Sequence, residues 1–357
     1  MSGIGSRQRP VVPTVVYVAG WGRSGSTLLG RLLGELDGFV SVGELHYLWG
    51  RGLRDQWPCG CGLPVDVCPF WAHVLDEAFA DSEAPDPAEM AAIQRDHLRL
   101  RQLLRLRASG QSGDELRRYS WAMEQIYRAI ATVSGASFIV DSSKEPADAL
   151  IASRLSGVEL FVIHLVRDPR AVAYSWSTLK SYPGNPDRDY MKQHGSLYSS
   201  TRWLVWNAAA RWVVRPAVGH ARYHSVRYED LVVDPVHAMH DILSAMGTDR
   251  VLPFEGREVV LNPSHTVGGN PDRLSRGRIT VAPDERWKVE MSRLHRAAAL
   301  LPALPLMPVL GYPRSSWPSR RSRYGAVRST GDPQRRKVEG IPTAPSHKSA
   351  ERRSDDE

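Results

Sequence analysis

Residues 20–27 read GWGRSGST. Three glycines, one guanidinium and three hydroxyls within eight residues can hold an oxyanion. Glycines let the backbone curl so that successive N–H groups point inward, and the polar side chains add further donors. A second cluster has related chemistry. Arg167 and Ser175 stand eight residues apart in RDPRAVAYS. An arginine fork beside a hydroxyl suits a terminal phosphate.

Both clusters need elements to position them. Val15, Val16, Tyr17 and Val18 form a β-branched, apolar run that predicts a short buried strand ahead of the glycines. Leu28, Leu29, Leu32, Leu33 and Leu36 fall on one face of a helix that Ser26 and Thr27 open. Strand, glycine loop and helix together make a phosphate cradle. The loop fits the pattern G-x-x-x-x-G-K-[ST] from Gly20 to Thr27, except that Ser26 stands at the lysine position. Nucleoside triphosphatases use that lysine on the β- and γ-phosphates. Here the cation is Arg23, three residues earlier, so the loop reads as an anion site that is not built for standard ATP hydrolysis. Arg167 ends a hydrophobic strand, Leu160 to Val166, and Ser175 lies about two turns into the next helix, so both can face one crevice. His164, within that strand, reads as a packed core histidine.

Further strands are expected at 137–141 and 223–228, each followed by a helix, and a short extended stretch at 38–46. Strands alternating with helices predict an α/β fold with a central, mainly parallel sheet and helices on both faces. Residues 81–136 are rich in Leu, Arg, Ala and Glu and read as helices. They belong to an insertion of about residues 50–136 that is expected to cover the crevice and form the acceptor pocket. Its arginines read as a solvated helix face. Trp203, Trp206 and Trp212 share a helical segment that reads as core or as pocket lining. Residues 268–287 read as a basic polar loop. The folded domain is expected over 13–312, with a disordered lead at 1–12 and a disordered tail at 313–357.

Cys59, Cys61 and Cys68 form C-x-C-x6-C. Three cysteines cannot close a tetrahedral zinc site without a fourth ligand, and C-x-C is not the usual C-x2-C hook. His73 is near in sequence, but the expectation is packing cysteines beside the site, with no metal bound.

The formal charge of +7 is unevenly spread: residues 314–357 carry 11 Lys/Arg against six Asp/Glu, and the rest is close to neutral. The basic balance is therefore weak ground for nucleic acid, and none is expected. The longest apolar run, 297–310, is short and broken by three prolines, so no membrane span is expected. A cleaved leader would remove the glycine loop. The reading is a cytoplasmic protein, with peripheral membrane contact left open.

Arg23 to Leu29, RSGSTLL, resembles the 5′-phosphosulfate loop of sulfotransferases that use 3′-phosphoadenosine-5′-phosphosulfate (PAPS). Arg167 to Ser175 resembles their 3′-phosphate motif, R-[DN]-P-[KR]-x-x-x-x-S. The resemblance extends from about Val15 to Tyr312 and is closest to bacterial relatives of carbohydrate and tyrosyl-protein sulfotransferases. It implies a P-loop-like three-layer fold and transfer of a sulfo group from PAPS to a hydroxyl, releasing 3′,5′-diphosphate. Gly22, Arg23, Ser24, Gly25, Ser26 and Thr27 would hold the phosphosulfate, with Ser143 as a further contact. Arg167 and Ser175 would hold the 3′-phosphate. Glu44 matches the glutamate that serves as base in tyrosyl-protein and related enzymes, with His46 as the alternative. Arg23 and Lys144 would place positive charge on the leaving phosphate. Arg273, Arg276 or Arg278 would close over the 3′-phosphate.

The transferring group carries less charge than a γ-phosphate, so no metal is expected. The acceptor is read as a hydroxylated small molecule, a carbohydrate or a lipid, and a phenol or peptide tyrosine stays open, as does the oligomeric state. The competing readings are a P-loop nucleotide kinase and a non-catalytic nucleotide-binding protein.

Overall fold

A computed structural model describes residues 12–109, 113–182 and 190–312. The expected disordered tail, and all of the lead except Val12, lie outside the described residues. Five strands form one sheet in the order β2-β3-β1-β4-β5. They are β1 (Thr14–Ala19), β2 (Phe39–Gly43), β3 (Phe138–Lys144), β4 (Glu159–Val166) and β5 (Tyr223–Arg227). Every neighbouring pair is parallel. Each connection is therefore a crossover, and the intervening chain must pack on a face of the sheet.

β1 explains the layering. Val15, Tyr17 and Ala19 point into one apolar core, and Val16 and Val18 into another. A strand covered on both faces is apolar at every position, which is why the run does not alternate with polar residues. On one side lie α1 (Ser26–Gly34), the helix Pro235–Ala245 and part of a small second sheet. On the other lie α2 (Pro69–Ala78), α3 (Pro87–His97), α4 (Leu103–Ser109), α5 (Asp114–Ser134) and α6 (Pro146–Ala152). The expected three-layer α/β architecture is present. His164 is a buried core residue, with Nε2 at 2.8 Å from Asn207 Oδ1 and Nδ1 at 2.6 Å from the Tyr223 hydroxyl. Burial pushes its pKa down to about 4.

Two expectations change. Residues 268–287 are not only loop: β8 (Gly277–Thr280) pairs antiparallel with β7 (Glu258–Leu261), which pairs with β6 (Phe254–Glu255). The insertion also acts differently from expectation. Its helices bury Leu98, Leu103, Leu106, Leu116 and Ile126 against the sheet side, and Arg95, Arg117 and Arg118 form surface ion pairs with Asp96, Asp114 and Glu89. An amphipathic helix gains most by covering apolar sheet surface, so the insertion's helices α2 to α5 became a core layer and not the lining of the crevice.

Among the described residues no helix is long and apolar enough to cross a membrane.

Candidate active site

β1 is the central strand. The chain leaves it first toward β2 and later crosses it to reach β4, so the carboxyl ends of β1, β3 and β4 border a crevice. A cavity of about 930 Å³ opens there. Gly22, Arg23, Gly25, Ser26, Thr27, Glu44, Ser143, Lys144, Arg167 and Ser175 all line it.

The glycine loop is shaped by its neighbours. Gly25 has φ +95°, and a Cβ there would stand 2.4 Å from the Tyr228 ring. Arg23 also takes a left-handed backbone, φ 69°. That turn delivers the chain into α1 with no side-chain cap and no acidic residue in the first turn. The first N–H groups of a helix have no partner within it, and here their partial positive charge faces the cavity.

Lys144 is the second left-handed residue in the wall, φ 70°. Its strand shifts register against β1 just before it: Tyr17 pairs with Asp141, and Ala19 with Lys144. The extra residue is a bulge, which re-aims the side chain at the strand's end. Lys144 Nζ reaches Glu44 Oε1 at 2.5 Å and the Ser142 carbonyl at 2.7 Å. Glu44 follows β2, and its N–H donates to the Val267 carbonyl at 2.7 Å. Two left-handed, non-glycine residues facing one cavity store about 1–3 kcal/mol of backbone strain each.

Arg167 is 6% exposed. Its Nη1 donates to the Arg23 carbonyl at 3.3 Å, and its guanidinium lies 4.3 Å from the Tyr228 ring and 3.6 Å from Asp284. Its Nε and that of Arg23 are buried with no hydrogen-bond partner. Buried donors of this kind are costly unless something accepts from them. Ser175 reaches the cavity from α7 (Pro169–Ser177), whose N-cap Asp168 accepts from Arg170 N–H at 2.8 Å and is clamped by the Arg170 side chain.

Three expected residues stand differently. Arg273 does not line the cavity. It is 2% exposed and donates to the Thr266 and Pro58 carbonyls at 3.1 and 2.7 Å, so it ties loops together. Of its alternatives, Arg276 donates to the Cys61 carbonyl at 3.1 Å, and Arg278 pairs with Glu255 and Glu258 on the small sheet. Ser24 is buried outside the lining, its hydroxyl unpartnered. Ser143 does face the cavity, but its hydroxyl and its N–H both donate to Asp141 Oδ1, leaving no proton for an anion. Asp141 is held in turn by the Tyr127 hydroxyl at 2.7 Å, and burial raises its pKa to about 6.

His46, the alternative base, lies outside the main cavity. Its Nδ1 is 2.7 Å from Asp148 Oδ2. Burial alone lowers its pKa, but the Asp148 carboxylate, with help from Glu145 and Glu44, carries it up to about 9. An imidazolium at neutral pH has no lone pair with which to take a proton.

Sequence reading missed several lining residues. Glu145 adjoins Lys144, and burial raises its pKa. Arg31 comes from the buried face of α1. Trp176 directly follows the second motif and donates to the Gly22 carbonyl at 3.2 Å. The tryptophan helix splits three ways. Trp203 is core and donates to the Arg167 carbonyl at 2.9 Å, Trp206 lines the cavity, and Trp212 is exposed. Trp21 lies between Trp206 and Trp176, with ring centroids 4.8 and 5.8 Å away and the planes tilted by 56° and 33°. Among its described residues the insertion supplies Arg51 and Trp57. Among the described residues, nine Lys/Arg side chains and four carboxylates face the cavity, an excess of positive charge where an anion would sit.

The sulfotransferase family matches residues 13–251, two thirds of the sequence. This chain belongs to the sulfotransferase family. Among solved structures, this sulfotransferase is similar to the sulfotransferase domain of the Synechococcus PCC 7002 olefin synthase, with 21% identity over 86% of this chain and 97% of that one, TM-score 0.47. The sulfotransferase domain from the curacin biosynthetic pathway follows, with 16% identity over 82% and 97%, TM-score 0.42. A sulfotransferase of Mycobacterium tuberculosis shares 17% identity over 67% and 69%, TM-score 0.37. No curated protein matches the chain in sequence.

Proposed function

We propose that this protein transfers a sulfo group from PAPS to a hydroxyl, with Glu44 as general base. The observation that carries the reading is the meeting of Arg23 and Arg167. These arginines, Arg167 buried and Arg23 half-buried, come from the two motifs, touch through the Arg23 carbonyl, and each keep a buried, unpartnered Nε beside the uncapped start of α1. Such an arrangement suits a ligand with two separated anionic groups. The family makes sulfuryl transfer the better reading than phosphoryl transfer, and Ser26 at the lysine position agrees.

PAPS, when bound, supplies an activated sulfo group whose S–O bond to the 5′-phosphate breaks as the new S–O bond forms. The chain's own residues then have separate tasks. The glycine loop and the α1 N-terminus hold the 5′ end, and Arg167 with Ser175 holds the 3′-phosphate. Glu44 takes the proton of the acceptor hydroxyl. Lys144, within reach of Glu44 and the cavity, stabilises negative charge gathering on the leaving oxygen. Trp21, Trp176 and Trp206, tilted against one another in the wall, offer an acceptor apolar ring faces, which favours a ring, whether sugar or phenol, over an extended lipid chain.

Calorimetry with adenosine 3′,5′-diphosphate against ATP·Mg²⁺ tests the donor class. Tight binding of the former with little of the latter is expected. The reverse order, or a strict Mg²⁺ requirement for turnover, would return the chain to the phosphotransferase reading.

A further inference from the structure

Away from the cavity's chemistry, four side chains converge that the sulfuryl-transfer reading does not use. Cys59, Cys61, Cys68 and His265 bring one ligand atom each within 4.8 Å of all the others. Cys61 Sγ is 3.6 Å from Cys68 Sγ, and His265 Nδ1 is 3.3 Å from Cys68 Sγ and 3.9 Å from Cys59 Sγ. Around a tetrahedral zinc with ordinary Zn–S and Zn–N bonds, ligand atoms stand about 3.6–3.8 Å apart. The separations here straddle that figure.

The surrounding chain builds the arrangement. Residues 58–64 form a tight loop, closed by Cys59 N–H donating to the Leu63 carbonyl at 2.7 Å and Gly62 N–H to the Cys59 carbonyl at 2.9 Å. Gly60 lets that loop touch the histidine's loop: a Cβ there would stand 2.5 Å from the Ser264 carbonyl oxygen. Cys68 precedes α2, whose first residues fix the imidazole. Phe70 stacks on His265 at 4.8 Å, and Trp71 Nε1 donates to the His265 carbonyl at 2.9 Å. His73, the neighbour in sequence, is exposed on α2 and is not part of the cluster. The fourth ligand comes instead from 197 residues beyond Cys68.

We propose that Cys59, Cys61, Cys68 and His265 bind one zinc ion as a closed structural site. Three thiolates and one imidazole select zinc over the hard cations Mg²⁺ and Ca²⁺. Four protein ligands leave no open position, so the ion holds structure and takes no part in the transfer. What it holds is informative. The carbonyl of Thr266, next to His265, accepts from Gly60 N–H at 2.9 Å and from Arg273, and the carbonyl of Val267 accepts from Glu44 N–H. The metal thus ties the first loop of the insertion to the segment that orients the proposed base. A Cys61–Cys68 disulfide is the competing use of these thiols, but it would leave Cys59 and His265 unaccounted for.

The test is metal analysis of the full chain, purified without added metal or chelator. About one zinc per chain is expected, released with a coloured chelator after thiol modification. Exchange for Co²⁺ should give the thiolate charge-transfer and d–d bands of a tetrahedral sulfur-rich site. His265→Ala and Cys61→Ser should lose the metal, and His73→Ala should keep it. Wild-type protein with no zinc and no ability to take up Co²⁺ would overturn the proposal. So would retention of full metal by His265→Ala, or a Cys61–Cys68 disulfide in the protein as purified.

Discussion

Lys144 offers a test in which chemistry and backbone separate. Its φ of 70° costs an ordinary L-residue about 1–2 kcal/mol, and glycine nothing. Lys144→Ala and Lys144→Gly both remove the ammonium from Glu44, so both lose the same ion pair, 2.5 Å long. They differ only in backbone. At an ordinary position glycine is the less stable choice by about 0.4–1 kcal/mol, because it gives the unfolded chain more freedom. Here the relief of strain exceeds that cost. The glycine variant should be the more stable by roughly 0.5–1 kcal/mol, or about 1–2 °C in melting midpoint for a body of this size. Denaturant titration of the two variants side by side measures the difference. Turnover should fall in both by the same factor, on the order of 10²–10³, as for loss of one group stabilising a leaving oxygen. A glycine variant no more stable than the alanine variant would show that the bulge does not hold Lys144 in a left-handed turn. Unequal turnover would show that the backbone at this position bears on turnover beyond the loss of charge, and near wild-type turnover in both would remove the charge from the reaction.

Other perturbations bear on neighbouring parts. Glu44→Gln should lower turnover by about 10²–10⁴ while leaving calorimetric binding of 3′,5′-diphosphate intact; a loss of only a few-fold would pass the role to Glu145, for which Glu145→Gln is the paired measurement. Arg167→Ala should weaken 3′,5′-diphosphate by about 1.5–3 kcal/mol and 5′-AMP far less; equal losses would remove Arg167 from the 3′-phosphate. The His46 pKa, raised to about 9 by Asp148, makes a pH prediction. A raised histidine pKa stabilises the fold fully below the unfolded value near 6.5, and that contribution disappears as pH rises through about 9. Melting midpoints of the wild type should therefore fall across this window more steeply than those of His46→Gln, and parallel curves would contradict the His46–Asp148 pair.

Strands β1, β3 and β4 were legible because each contains a short apolar run closed by polar residues, and because the spacing of the strands leaves room for crossovers. The glycine loop and Arg167 were legible for a related reason: their chemistry is local, set by residues a few positions apart. What escaped is mostly non-local. Arg273 looked like a free cation at the end of a polar loop, yet it spends its guanidinium on carbonyls at Pro58 and Thr266. Ser143 looked like a donor until the bulge in β3 folded it onto Asp141, two residues back. The small sheet was missed because its strands are two to four residues long and rich in Glu, Arg and Gly, with no periodicity to read. The cysteine cluster was read without its histidine, since nothing in the sequence brings residues 68 and 265 together.

The hydrogen bond from Glu44 N–H to the Val267 carbonyl spans 223 residues of chain. During synthesis the glycine loop must wait for Tyr228 to pack on it, and the Glu44 backbone waits longer still, until residue 267 has left the ribosome. At about 5–20 residues per second, that further interval of 39 residues is roughly 2–8 s. A nascent chain can therefore present its anion loop shortly before the backbone of the proposed base is anchored. The competence to bind an anion and the competence to turn it over arise at different times in the life of each molecule.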